Sequence, residues 1–327
     1  MRAKEKDDKS TTPGVRKYYL NKNSNRLTPE VIDDLAINLQ LWKVINNREP
    51  VEDEEWSLNM DIRKILDCLS SYTNEFWKYP VSIFFMEHKN KSNFEEQFLI
   101  FLRKLYVMLL TRYLEVPTIN AVKTDILKLN VQIIKNSHPE FYAGFGVNKP
   151  EDRCAVDIEK TRTDKLIITP HKNMVRMLLK LLAYQEDTQS DLLPVYWEIE
   201  HIFPQSWDTK YYTLDEEETN EKLEHLGNKL PLEKKLNISA SNNYFAKKKE
   251  KYRNSKIAIV KRLGESPLNE WDLTNIDEND IKVCNIVKHI LKTWVDEYEK
   301  IEDTSKIPEA TPEELEMIKM LKEKGLI

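Results

Sequence analysis

Glycine is scarce, with six residues in 327. Tight turns and close approaches to phosphate lean on glycine, so this scarcity argues against a dinucleotide-binding fold or a many-turned barrel. Cysteine is scarcer still. Cys68, Cys154 and Cys284 are far apart and odd in number, so they make neither a disulfide framework nor a CxxC metal knuckle. That usage suits a reducing cytoplasm, the expected location. No apolar run approaches the length of a membrane span, and the opening MRAKEKDDKSTTPG is too polar for a cleavable signal. Residues 1–27 are expected to be a disordered tail. A global basic excess is also missing: 50 Lys and Arg against 55 Asp and Glu leave a net charge of −5. No GxxxxGK[ST] phosphate loop occurs anywhere in the chain.

Charged residues make up 32% and apolar residues 40%, which fits an exposed, helix-rich architecture of two or three folding units. The average charge hides a local asymmetry. Residues 215–224, read as a polar loop, hold six acids and one lysine. Residues 227–262 hold eleven lysines and arginines against two acids. Such a surplus suits a phosphate backbone, although a charge run by itself is ordinarily a solvated helix face.

Apolar spacing predicts helices over 28–47, 57–71, 94–115, 118–136 and 171–186. Thr28, Pro29 and Glu30 mark the first start, and 94–115 is apolar on most faces, as a central helix would be. Phe145 falls in a turn. After Asp191 the pattern changes. Residues 195–202 alternate and read as a strand with Val195, Trp197 and Ile199 on one face, ended by Pro204. A second strand is expected at 228–232, then one long basic helix over 241–262. Further helices are expected over 278–301 and from Thr311, where TPEE has a capping-box signature. The fold class is therefore mainly α: a helical scaffold or recognition region over 28–190, a strand–strand–helix module over 191–265, and C-terminal helices over 266–327.

Chemistry clusters only in the module. Glu200-His201-Ile202-Phe203-Pro204 lies on the first strand, Leu226-Gly227-Asn228 precedes the second, and Asn237 follows. Taken singly, a strand-end histidine is a satisfied polar residue and an asparagine near a turn is turn chemistry. Taken in this order, with a basic helix behind them, the residues resemble the HNH, or ββα-metal, nucleases. More narrowly they resemble the C-terminal domain of the GmrSD-like restriction endonucleases, whose motif tail matches Phe245, Lys248, Tyr252 and Ser255, followed by Trp271.

An imidazole near its free pKa is suited to taking a proton from water, so His201 is the candidate base. Glu200 and Asn237 offer hard oxygens for Mg2+ or Mn2+. Asn228 is expected to bond His201 or the adjoining backbone, and Lys248 to reach a phosphate. Lys247, Lys248, Lys251 and Arg253 are the candidate nucleic-acid contacts. His225 reads as loop surface, His171 as a helix start, Trp197 and Trp207 as packing, and Tyr244 and Phe245 as core. Adjacent strand residues face opposite sides, so Glu200 and His201 converge only if the strand twists or ends there.

The resemblance implies a metal-dependent DNA endonuclease that restricts phage or foreign DNA, including modified DNA. It also implies a partner, an N-terminal nucleotide-hydrolysing domain or subunit, that residues 1–185 do not supply. One site of this kind cuts one strand, which admits a homodimer for a double-strand break. The competing reading is a module that binds nucleic acid or a partner within a restriction complex and does not cut.

Overall fold

The computed structural model describes residues 26, 28–118, 120–135, 163–168, 171–207 and 215–305. Among the described residues seven α-helices come first: α1 (Pro29–Asn47), α2 (Met60–Leu69), α3 (Lys78–His88), α4 (Phe94–Glu115), α5 (Lys123–Lys135), α6 (Thr163–Ile167) and α7 (Lys172–Ala183). Then follow strand β1 (Trp197–His201), α8 (Glu216–Leu223), a 3-10 turn (Leu226–Asn228) and strand β2 (Lys229–Glu233). The order closes with α9 (Lys234–Ala240), α10 (Phe245–Tyr252), α11 (Ala258–Glu265) and α12 (Leu273–Ser305). The chain is mainly helical and, among the described residues, has one two-stranded antiparallel sheet. Among the described residues no helix is long and apolar enough to cross a membrane.

Side-chain caps mark some of the helix starts. Asn59 caps α2 by accepting from the backbone of Asp61 and Ile62. The His171 ring does the same for α7 through Asn173. Thr28 stands at the α1 cap position, yet its side chain makes no cap bond. Helix α3 has no counterpart among the helices expected from apolar spacing. Pro80 interrupts its pattern, but proline is tolerated in a first turn, where the missing N–H has no intrahelical partner. α4 is central, and Phe98, Leu102, Leu105, Tyr106 and Leu109 are fully buried.

Three expectations of the sequence are corrected. The long basic helix expected over 241–262 is instead two helices, α10 and the start of α11, with α9 ending just before it. Ser241, with φ at 47°, ends α9, and the chain turns again at Asn254 and Ser255. The acidic stretch 215–224 is mostly the helix α8, not a loop. Asp215 accepts from Glu218 N, and Glu216, Glu217 and Glu218 complement the helix dipole in its first turn. His225 is not loop surface: its Nδ1 lies 2.7 Å from Asp280 Oδ2 on α12. The expectations for the tail up to Asn25, Phe145 and the helix at Thr311 lie outside the described residues.

A single buried apolar cluster runs from Leu41 to Val295, so the helical region and the sheet share one core. Polar contacts register the two. Asp67 on α2 accepts from Arg48 and from Lys180 on α7, at 2.9 and 3.1 Å, and from the Tyr184 hydroxyl. Arg48 also donates to the Leu193 carbonyl, and the Leu193 N–H donates to the Tyr184 oxygen. Arg176 stacks 4.0 Å from the Trp197 ring centre and donates to the Trp197 carbonyl, which places the start of β1.

Helix α12 spans both parts. Trp294 meets Tyr106 of α4 edge-on at 5.6 Å, while Asp280 accepts from Gly227 N at 2.6 Å. At Gly227 a Cβ would lie 2.6 Å from the Ile276 carbonyl oxygen and 2.7 Å from Asp280 N, both backbone atoms. Gly227→Ala is therefore expected to cost about 1–3 kcal/mol of unfolding free energy through overpacking. Urea unfolding measures it, and a change within about 0.5 kcal/mol, typical of a surface substitution, would contradict this packing.

Candidate active site

The sheet is built from strands that a whole helix separates in sequence. β1 pairs antiparallel with β2, with Glu200 opposite Leu230 and His201 opposite Lys229. The 3-10 turn before β2 carries Asn228, which is fully buried. Its Oδ1 accepts from Phe203 N at 2.7 Å, and its Nδ2 donates to the carbonyls of Phe203 and Leu223 at 3.2 and 3.1 Å. Its own carbonyl accepts from Ile202 N at 2.9 Å. Of the two expected partners, Asn228 takes the adjoining backbone. It fixes the chain just beyond His201, where β1 ends.

That ending resolves the alternation problem. Glu200 and His201, neighbours on a strand, both line one polar cavity of about 150 Å3. The other walls are Ile199, Gln205, Asn237, Ser241, Asn242 and Lys248. A larger cavity of about 630 Å3 lies among α7, β2, α11 and α12, but its lining is chiefly apolar and lacks both Glu200 and His201.

Glu200 is buried and triply bonded. Oε1 accepts from the Tyr252 hydroxyl at 2.7 Å and pairs with Lys248 Nζ at 2.9 Å, while Oε2 accepts from Asn237 Nδ2 at 2.8 Å. Burial pushes its carboxyl above the ordinary range, and Lys248 and Tyr252 pull it back. Burial likewise lowers Lys248, against the pull of Glu200. The same ammonium donates to the His201 carbonyl, so one side chain holds both strand residues. Tyr252 is pushed well above the usual phenol range by burial and by Glu200, which keeps its hydroxyl a donor.

His201 presents Nε2 to Glu224 Oε1 at 3.3 Å, with Gln205 Nε2 at 3.4 Å. Glu224 is held in turn by Gln205 at 3.2 Å and by Lys229 at 2.7 Å. Burial lowers the His201 imidazole below its ordinary value, and Glu224 opposes that shift. Glu224 and Gln205 were missed in the sequence. Glu224 sits in an acidic run that reads as solvated surface, and Gln205 in a polar loop; no pattern signals either.

The basic run divides between inside and outside. Lys229, Lys248 and Lys249 are buried, and Lys249 donates to the carbonyls of Ser266 and Leu268. Lys247 and Arg253 are exposed and Lys251 is half-buried. Lys247 lies over the ring of Tyr244, 5.3 Å from its centre. Tyr244 is exposed rather than core, whereas Phe245 is buried against Trp271. Trp197 is buried, and Trp207 packs edge-on to Phe203 at 6.3 Å.

Among the described residues two groups could hold a cation. Glu200 and Asn237, each carrying a hard oxygen, meet on the cavity wall, where Asn237 Nδ2 donates to Glu200 Oε2. His225, Asp277 and Asp280 have ligand atoms within 4.8 Å of one another. In the second group Lys222 already pairs with Asp277 at 2.7 Å, and Asp280 accepts from Gly227 N and faces His225. Only the first group adjoins His201.

Residues 152–284 match the family model of the GmrSD restriction endonucleases, C-terminal domain. No curated protein matches the chain. Both strands and every wall residue of the small cavity fall inside the matched stretch. Over residues 152–284 the chain is therefore similar to the C-terminal domain of the GmrSD restriction endonucleases.

Proposed function

We propose that this domain is an HNH-type endonuclease that hydrolyses DNA with Mg2+ or Mn2+ and serves restriction of phage or foreign DNA. The observation that carries the reading is the convergence of Glu200, His201 and Asn237 on one polar cavity, from a strand and a separate helix. The donor set fits the metal: a carboxylate and a carboxamide are hard oxygen ligands, suited to a small hard dication. A bound ion would polarise the phosphate and steady the leaving oxygen.

The chain's own groups do the rest. Glu224 engages Nε2 of His201, which leaves Nδ1 to take a proton from the attacking water. Lys248 holds the His201 carbonyl and the Glu200 carboxylate in one frame. Asn228 keeps the chain from drifting at the end of β1. The exposed cations Lys247 and Arg253, with half-buried Lys251, supply backbone contacts to DNA, and Tyr244 beside Lys247 adds a stacking surface. One such site cuts one strand, so a double-strand break takes two events or two copies. A nucleotide-hydrolysing partner, as the family resemblance implies, would act through surfaces other than this cavity.

His201→Ala is expected to lower the cleavage rate about 10²–10⁴-fold, the usual contribution of a general base, while DNA affinity persists. Supercoiled plasmid with magnesium, manganese or EDTA reads this out. Equal behaviour of wild type and variant, with binding intact, would instead support a non-cleaving binding module. The rate should fall on the acid side as His201 gains a proton. Because burial lowers that imidazole, the half-maximal point should lie below pH 6.5, its ordinary value; a profile of initial rates against pH checks this. Replacing both Lys247 and Lys251 by alanine should weaken DNA binding uniformly across sequences. It should also flatten the log–log salt slope by roughly 2, about 0.9 for each phosphate no longer neutralised. An unchanged slope would remove these lysines from the DNA-contacting surface.

A further inference from the structure

The inner face of α10 carries Phe245, Lys248 and Tyr252, three and four residues apart, and all three are buried. Lys248 and Tyr252 converge on a single oxygen, Oε1 of Glu200, at 2.9 and 2.7 Å. The other oxygen, Oε2, meets Asn237 at 2.8 Å, and Asn237 is a wall of the cavity. The carboxylate is thus held on one side by α10 and turned on the other toward the cavity.

We propose that Tyr252 is a positioning residue for the metal site, its hydroxyl fixing the Glu200 carboxylate so that Oε2, beside Asn237, is offered to a divalent cation. The inference rests on the metal-dependent reading above. Lys248 on Oε1 and Asn237 on Oε2 alone would leave the carboxylate plane free to turn about the line joining its two oxygens. A second donor on the same oxygen fixes the plane. A phenol suits that second place, because it adds no positive charge near an incoming cation, whereas another ammonium would repel one. Groups that hold a ligating carboxylate from behind typically change metal affinity by about 10- to 100-fold.

Tyr252→Phe removes the hydroxyl and keeps the ring in the core. Tyr72→Phe is the matched control: it removes a buried hydroxyl that faces the Leu109 carbonyl at 3.5 Å in the helical region. Mn2+ binding to the full chain is measured by titration calorimetry, alongside the Mn2+ concentration that gives half-maximal plasmid nicking. For Tyr252→Phe the expected result is Mn2+ affinity weakened about 10-fold or more. The half-saturating Mn2+ should rise by the same factor, with the rate at saturating Mn2+ close to wild type. Tyr72→Phe should move neither quantity. If Tyr252→Phe binds Mn2+ as wild type does and loses only thermal stability, the hydroxyl is structural and the proposal is overturned. Equal shifts in both variants overturn it as general loosening. Failure of wild type to bind Mn2+ is a different outcome: it overturns the metal-dependent reading and this inference with it.

Discussion

The buried carboxylate of Glu200 is the constraint on which the module depends. Taking an ion out of water is costly unless the charge is paired and its lone pairs are filled. Three side chains meet that cost: Asn237 from α9, and Lys248 and Tyr252 from α10. Each therefore has to sit where it does, which fixes two short helices against the end of a strand. Removing one partner of such a pair typically costs about 3–5 kcal/mol, because the other charge remains buried. The same requirement brings a carboxylate, a carboxamide and an ammonium to the wall of one small cavity.

Around that centre the module is braced from outside the sheet. Asn228 spends its whole amide on the backbone of Phe203 and Leu223, and the turn that carries it lies on α12 with no room for a side chain at Gly227. Glu224, at the end of α8, links His201 to Lys229 across the strand pair. On the other side the Asp67 network and the Arg176–Trp197 stack hold the segment entering β1. The helical region thus shares the core of the strand–strand–helix module and aligns its first strand, and α12 binds both.

The electrostatic layout follows the same logic. Three of the cations that make the run 227–262 look like one basic face are directed inward, two of them to carboxylates and one to backbone carbonyls. The other eight are fully or partly exposed; among them are Lys247 and Lys251 of α10 and Arg253 just after it, with Lys247 over the exposed ring of Tyr244. The acids of α8 face solvent at the helix N-terminus, where the dipole favours them, and only Glu224 turns toward the site.

The sequence alone determined the helix-rich class, most of the helices, the two short strands and the group Glu200, His201, Asn228 and Asn237. These are properties of local periodicity, capping and motif order, all carried within a few dozen residues. Helix α3 escaped because a first-turn proline looks like a break when its position in the helix is unknown. Whether Lys248 faced phosphate or a buried carboxylate, whether His225 lay in solvent or against Asp280, and whether 241–262 was one helix or parts of two were decided only in three dimensions. So were the places of Glu224, Gln205 and Tyr252 around the cavity. The physical reason is that a side chain's charge state and partners depend on what packs against it from distant elements. Tyr252 meets Glu200 across 52 residues of chain, and no spacing within either segment records that contact.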